Sequence, residues 1–340
     1  MILVTGAAGH LGNVLVRELL ARGYKVRTLI LPGEDVSSLE GLDIEAMDGN
    51  ILDPDSLTRA CAGIDMVYHM AALIAITEEK MDLMRRVNIE GTRNVIQAVK
   101  DAGVRRMVYT SSIHALMRPE EGVVIDESQP FDPENLAGPY DRTKAAATLL
   151  VLEAVKQGLD AVIVCPTGVI GPYDFKRSEM GEMMLSWMKK KPSLSVQGKF
   201  DFVDVRDVAV GHILAGERGK RGETYLLSGE QIQISTFRSL VQQAAGVDTQ
   251  EIKINSGLAA FVAPMAEIFY RITRTKPLFT RYSVETLQSN SVISSLKARK
   301  ELGYQPRRLS DSIKETVDWW LSYLHRKVSA LTMSGMEHRS

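Results

Sequence analysis

Two cysteines in 340 residues, Cys61 and Cys165, are too few for a disulfide framework or a cysteine-built zinc site. They read as buried thiols of a reducing compartment. Neither sign of charge is in excess: Lys and Arg number 41, Asp and Glu 42, and the net charge is −1. That balance excludes the electrostatic footprint of a nucleic-acid or anionic-membrane binder. Long apolar runs are missing too. The most apolar late stretch, GLAAFVAPMAEIFY, contains Pro264 and Glu267 and is shorter than a spanning helix needs. The opening MILVTG leaves no room for a charged region followed by an apolar one, so no secretory leader is expected. A cytoplasmic chain without metal, nucleic acid or membrane span is the expectation. Its 45% hydrophobic content is enough for a sizeable core.

What is present is alternation. MILVTG is a short apolar run, and NVLVRELLARGY follows with helical spacing of Val14, Leu15, Leu19 and Leu20, stopped by Gly23. KVRTLIL reads as a strand, DPDSLTRACAG as a helix opened by Asp53 and Pro54, and DMVYHMAA as a third strand. NIEGTRNVIQAVKDAG reads as a helix, RRMVYTSS as a strand, YDRTKAAATLLVLEAVKQG as a long helix and DAVIVCPTGV as a fifth strand. Strands alternating with helices imply right-handed crossovers and a doubly wound parallel α/β sheet. The second half loses this rhythm. Helices are expected over 178–191, 236–245, 257–273 and 311–325, with short strands at LSV, FVDV and TYLL. The expected division is a dinucleotide-binding part over 1–165 with returns near 200–228, and an interwoven substrate lobe over 166–325. The tail over 326–340 lacks periodicity and is expected to fray.

The turn between the first strand and first helix is VTGAAGHLG, with Gly6, Gly9 and Gly12 three residues apart. In such a turn the first glycine permits the tight bend and the second lets backbone N–H groups approach a pyrophosphate. The third lets helix and strand pack closely. The helix N-terminus then favours the anion. Ordinary turn glycines are the alternative, and the placement after a first strand argues against them.

The Gly-x-x-Gly-x-x-Gly spacing resembles the extended short-chain dehydrogenase/reductase family, closest to its dihydroflavonol reductase and 3β-hydroxysteroid dehydrogenase branch. The resemblance extends over residues 1 to 325, through DGNILD, VYHMAA, VNIEGTRNVIQA, PTGVIGP, FVDVRDVA and KARKELGYQPR. YDRTK supplies the Tyr-x-x-x-Lys pair, Tyr140 and Lys144, and VYTSS supplies Ser111 and Ser112. The resemblance implies that Tyr140 gives a proton to a developing alkoxide and Ser112 donates to the substrate oxygen. Lys144 then lies one helical turn on, where its charge would lower the tyrosine pKa. It would also hold the nicotinamide ribose. Alone, Tyr140 reads equally as a helix-start aromatic and Lys144 as a solvated charge. Asn88 matches a family asparagine or simply packs its helix. His114 and His69 read as packing or surface residues.

The implied cofactor is NAD(P)(H). Gly6, Gly9, His10, Leu11, Gly12, Leu31, Asn50, Ile51, Ala71, Ala72, Ser111, Tyr140, Lys144, Pro166 and Val169 form the implied cofactor-binding set. The choice between NAD and NADP stays open. Ile30 stands where NAD users carry an acid, Leu31 where NADP users carry arginine, and Glu34 and Asp35 follow. Three activities compete: a carbonyl reductase or alcohol dehydrogenase for a small apolar substrate, a nucleotide-sugar epimerase or dehydratase, and a cofactor-sensing regulator. An intact Ser112, Tyr140 and Lys144 disfavour the regulator. Ile113 and His114 replace the acid pair of dehydratases, Phe200 (beside Lys199) replaces a diphosphate-binding arginine, and 257–287 is apolar. These favour the reductase. A homodimer through the two helices VNIEGTRNVIQAVKDAG and YDRTKAAATLLVLEAVKQG is a further implication of the resemblance.

Overall fold

The computed structural model describes residues 1–74, 80–254, 286–287 and 289–337. Along the chain run β1 (Ile2–Thr5), α1 (His10–Ala21), β2 (Val26–Ile30), β3 (Glu45–Asp48), α2 (Pro54–Cys61) and β4 (Met66–His69). Then come α3 (Met81–Arg85), a π-helical turn (Arg86–Gly91), α4 (Thr92–Asp101), β5 (Arg106–Thr110), α5 (Pro139–Lys156), β6 (Ala161–Pro166) and β7 (Gly168–Ile170). The rest comprises α6 (Glu179–Trp187), β8 (Ser193–Val196), β9 (Lys199–Asp204), α7 (Val205–Arg218), β10 (Thr224–Leu227) and β11 (Glu230–Gln233). It ends with α8 (Ile234–Ala245), β12 (Glu251–Ile254), α9 (Leu296–Leu302) and α10 (Leu309–Glu337).

Seven parallel strands form the main sheet in the order β10-β6-β5-β4-β1-β2-β3. The central strands are apolar on both faces, as a sheet covered by helices on both sides requires. One core gathers α1, α7 and α9 through Val14, Leu15, Leu19, Val208, Ile213 and Leu302. The other gathers α2, α4 and α5 through Leu57, Val95, Val99, Ala147 and Val151. Strand order reverses between β1 and β4. In a doubly wound sheet a ligand crevice opens at that point, beyond the carboxyl ends of the strands. Two smaller sheets, β11-β9-β7 and β12-β8, come from the second half.

Three expectations need correction. β3 was not expected: its residues, EAMD, are mostly exposed on the sheet edge, so no apolar alternation marks it. DAVIVCPTGV, expected as one strand, divides at Thr167 into β6 and β7 of different sheets, while TYLL, inside the return expected near 200–228, is β10 beside β6. The final helix, expected over 311–325 with a frayed tail, extends to Glu337; SALTMSG contributes Ala, Leu and Met, which extend an established helix at little cost. The expected helix 257–273, and nearly all of the apolar 257–287 segment, lie outside the described residues. No described helix is long and apolar enough to cross a membrane.

Candidate active site

The glycine turn joins β1 to α1 at the switch point. Gly6 has φ +72°, and a Cβ there would stand 2.7 Å from the Ala71 backbone nitrogen. A Cβ on Gly12 would stand 2.1 Å from the Gly6 carbonyl oxygen, so helix and turn touch backbone to backbone. Gly9 differs. It has ordinary extended angles, φ −73° and ψ 172°, and a Cβ there would meet only the Gly6 oxygen, at 3.3 Å. Gly9 is the N-cap of α1 and brings no side-chain cap. The first N–H groups of the helix thus receive no side-chain cap from Gly9, and a phosphate is their natural acceptor. The turn fits a dinucleotide pyrophosphate.

Asn13 locks the turn from behind. Its Nδ2 donates to the carbonyls of Gly9 at 2.9 Å, His10 at 2.9 Å and Tyr173 at 3.1 Å. His10 is tied by its Nε2 to the Pro172 carbonyl at 3.0 Å. Sequence spacing gave no sign of this tie between α1 and 172–173, which joins positions some 160 residues apart.

The catalytic candidates converge at the ends of β5 and β6. Ser112 caps a short 3-10 turn by accepting from the His114 N–H at 3.2 Å. Its side chain also lies beside the Tyr140 phenol and draws the phenol pKa down. Tyr140 enters at the first turn of α5, after Pro139 in the position where proline is preorganised for a helix start. Lys144, one turn on, is buried and donates to the Tyr109 hydroxyl at 3.1 Å and to the Thr110 carbonyl. Its Nζ sits 4.6 Å from the centre of the Tyr109 ring.

The electrostatics correct one expectation. Burial pushes the Tyr140 phenol up to about 12, only partly offset by Ser112. Lys144 was expected to lower it. Burial instead drives Lys144 down to about 7, and its donors are aimed at β5, not at Tyr140. In the chain alone Tyr140 is therefore held as the protonated phenol, the form a proton donor needs.

The other implied cofactor residues are spread around the crevice. Ala71 donates its N–H to Thr5 Oγ1 at 3.3 Å, and Ala72 beside it is exposed. Asn50 does not offer its amide oxygen freely, since Oδ1 accepts from the Leu52 N–H at 2.9 Å. Ile51 is buried against the Gly91 turn. Leu11 is half-buried and Leu31 is 49% exposed at the end of β2. Ser111, expected nearer the cofactor, is buried and bonded to Thr148 Oγ1 on α5 at 2.6 Å. Pro166 ends β6, and Val169 lies in β7 opposite Val203.

Asn88 sits in the π-helical turn and ties three segments. Its Oδ1 accepts from the Leu73 N–H at 2.8 Å, and its Nδ2 donates to the Leu73 carbonyl at 3.0 Å and to Thr143 Oγ1 at 3.1 Å. It thereby fixes the chain beyond β4 against the helix that carries Tyr140. His69 is a packed residue between Thr5 and Thr92 hydroxyls at 2.8 and 3.0 Å, and burial drives it down to about 3. Beyond Ser112, His114 stacks on the buried Phe200 ring, centres 5.7 Å apart and planes 7° off parallel. Arg118 reaches the wholly buried Asp141 at 2.9 Å.

A model of the NAD dependent epimerase/dehydratase family matches residues 2–228. The chain is 36% identical over 325 residues to sterol demethylase protein B of Methylococcus capsulatus, covering 94% of this chain and 97% of that protein. It is 31% identical over 324 residues to a putative dihydroflavonol 4-reductase of Synechocystis, covering 94% of each. The crystal structure of gox2253 is similar with a TM-score of 0.83 and 35% identity, covering 95% of this chain and 98% of that one.

Proposed function

The chain belongs to the NAD-dependent epimerase/dehydratase family and is an NAD(P)-dependent oxidoreductase of the extended short-chain dehydrogenase/reductase type; on that premise we propose that it reduces the carbonyl of an apolar, ring-containing substrate, or oxidises the matching alcohol. The observation that carries this reading is the half-buried Tyr140 beside the buried Ser112, with the buried Lys144 one turn on. A bound reduced nicotinamide supplies the hydride. Gly6, Gly9, Gly12 and the first turn of α1 hold the pyrophosphate. Ser112 donates to the carbonyl oxygen and orients it. Tyr140 passes its phenolic proton to that oxygen as the carbon accepts the hydride, so the carbonyl gains one hydride and one proton. Lys144, buried and donating to the Tyr109 hydroxyl and the Thr110 carbonyl, would hold the nicotinamide ribose.

An apolar substrate suits the residues beyond the serines. Phe200 and the stacked His114 offer ring faces where a sugar-nucleotide diphosphate, about two negative charges, needs charge-assisted donors. Leaving those oxygens unpaired costs several kcal/mol, on the order of 2–7. Burying an apolar ring gains roughly 25 cal/mol per Å². The names of two relatives, a sterol demethylase component and a dihydroflavonol reductase, suggest the first substrates to try. The test is a panel of 3-ketosteroids, dihydroflavonols and UDP- and dTDP-sugars, with reduced-cofactor absorbance and product analysis followed together. Net cofactor oxidation with the ring ketones is expected, and none with the sugars. Redox-neutral conversion of a nucleotide sugar, with every ring ketone inert, would reassign the protein as an epimerase or dehydratase.

The homodimer is proposed with it. Leu149 is 40% exposed on α5 while Ala145 faces inward, so the apolar outer stripe is narrower than the sequence suggested. A second copy across a two-fold axis would cover Leu149. Equilibrium sedimentation is expected to give twice the chain mass, and a single-chain mass at micromolar concentration would remove the dimer.

A further inference from the structure

The strand end that carries an acid in NAD users of the family is occupied here by Ile30 and Leu31, yet the structure brings a carboxylate back to it. Leu31, Pro32, Gly33 and Glu34 form a tight turn, with the Glu34 N–H donating to the Leu31 carbonyl at 2.9 Å. Pro32 stands second, and Gly33, third, has φ +80°, the requirements of a type II turn. The reversal folds the Glu34 side chain over the strand end, where Oε2 lies 3.4 Å from the Leu31 N–H. The displacement from Ile30 to Glu34 in sequence is thus undone in space.

The carboxylate is also fixed from the opposite side. Lys176 Nζ donates to Glu34 Oε1 at 2.6 Å, across 142 residues. Lys176 belongs to a strap over 172–177 that follows α1. The strap is bound to the glycine turn through His10–Pro172 and Asn13–Tyr173. Arg17 lies 4.8 Å beneath the centre of the Tyr173 ring and donates to the Ser38 carbonyl at 2.9 Å. Ser38 in turn donates to the Ala8 carbonyl within the glycine turn, at 3.1 Å. The loop after β2, the glycine turn and the strap are therefore one connected unit, with the Glu34–Lys176 pair at its outer end. Asp35 is turned into its own loop, its Oδ1 accepting from the Ser37 N–H at 2.9 Å.

We propose that Glu34, folded back by the Leu31–Glu34 turn and clamped by Lys176, is the residue that selects NAD(H) over NADP(H). The proposal rests on the reading of the glycine turn as the dinucleotide site. A carboxylate there accepts from the ribose hydroxyls of NAD(H) and opposes the added negative charge of a 2′-phosphate. Lys176 makes the selection reversible by one substitution. Its ammonium is neutralised by Glu34 now, and it would face a phosphate directly once that charge was removed.

The test is calorimetric titration of NADH and NADPH into the full chain and two variants, each shown to keep the wild-type melting temperature. The wild type is expected to bind NADH more tightly. Glu34→Gln is expected to weaken NADH about tenfold and tighten NADPH about tenfold, the scale of one charge-assisted hydrogen bond gained or lost. Lys176→Met, which leaves Glu34 uncompensated, is expected to weaken NADPH about tenfold further while NADH stays within about threefold. A wild type that prefers NADPH, or a Glu34→Gln variant with an unchanged NADH-to-NADPH ratio, overturns the selection role and leaves the glycine-turn site standing. A wild type that binds neither cofactor overturns both.

Discussion

Tyr140→Phe is expected to lower turnover by about 10²- to 10⁴-fold, the usual contribution of a positioned general acid. Only one oxygen is lost. Tyr140 is half-buried, with Ser112 beside its hydroxyl, and phenylalanine keeps the ring that fills the space. The fold is therefore expected to survive with a melting temperature near that of wild type. Cofactor affinity should also change little, because the glycine turn lies on the other side of the switch point. Steady-state kinetics, with NADH titration of the same preparation, separates these effects. A variant that turns over within a few-fold of wild type would remove Tyr140 from the proton-donor role. A variant that loses cofactor binding to the same extent as turnover would show instead that the hydroxyl serves the dinucleotide.

Gly9→Val is expected to abolish measurable dinucleotide binding while the protein stays folded. The reason is the contrast among the three glycines. Gly6 has a positive φ, and a Cβ at Gly6 or Gly12 would collide with backbone. Gly9 has angles any residue adopts, and its missing Cβ points away from everything but one carbonyl oxygen at 3.3 Å. A side chain there asks the Gly6 carbonyl to give by only a few tenths of an ångström, and it projects where the pyrophosphate must approach. A loss of about 3 kcal/mol, roughly a hundredfold in affinity, is the least expected. Circular dichroism and calorimetry on one sample decide it. A folded variant with an unchanged dissociation constant would place the cofactor elsewhere.

The contrast with what the sequence could reveal is instructive at the level of single residues. β1, α1 and the glycine turn were legible because periodicity and glycine spacing are local properties. Tyr140 and Lys144 were legible as a pair, since four residues on a helix bring two side chains to one face. The direction of their electrostatics was not. It depends on burial and on where Nζ finds acceptors, and both acceptors come from β5, more than thirty residues away. β3 was invisible because an exposed edge strand needs no apolar face. Ser111 and Ser112 are adjacent in sequence and look interchangeable. Alternation along an extended chain sends one toward Thr148 and the other toward Tyr140. The same limit hid Asn13, Lys176 and the strap, whose partners lie more than 140 residues apart. In sequence Glu34 is only an acid that follows the strand end. Only the turn geometry shows that it returns to the strand end.

Net hydride transfer to an apolar carbonyl through Ser112, Tyr140 and Lys144 is tested most directly by isotope transfer. The pure protein is incubated with reduced cofactor carrying deuterium at the transferable nicotinamide position and with a ring ketone it accepts. The alcohol is then analysed by mass spectrometry and NMR. One deuterium on the carbinol carbon, with one equivalent of oxidised cofactor per alcohol and loss of both in Tyr140→Phe, is the result predicted. Alcohol formed without deuterium, or the same transfer in Tyr140→Phe at the wild-type rate, would contradict it.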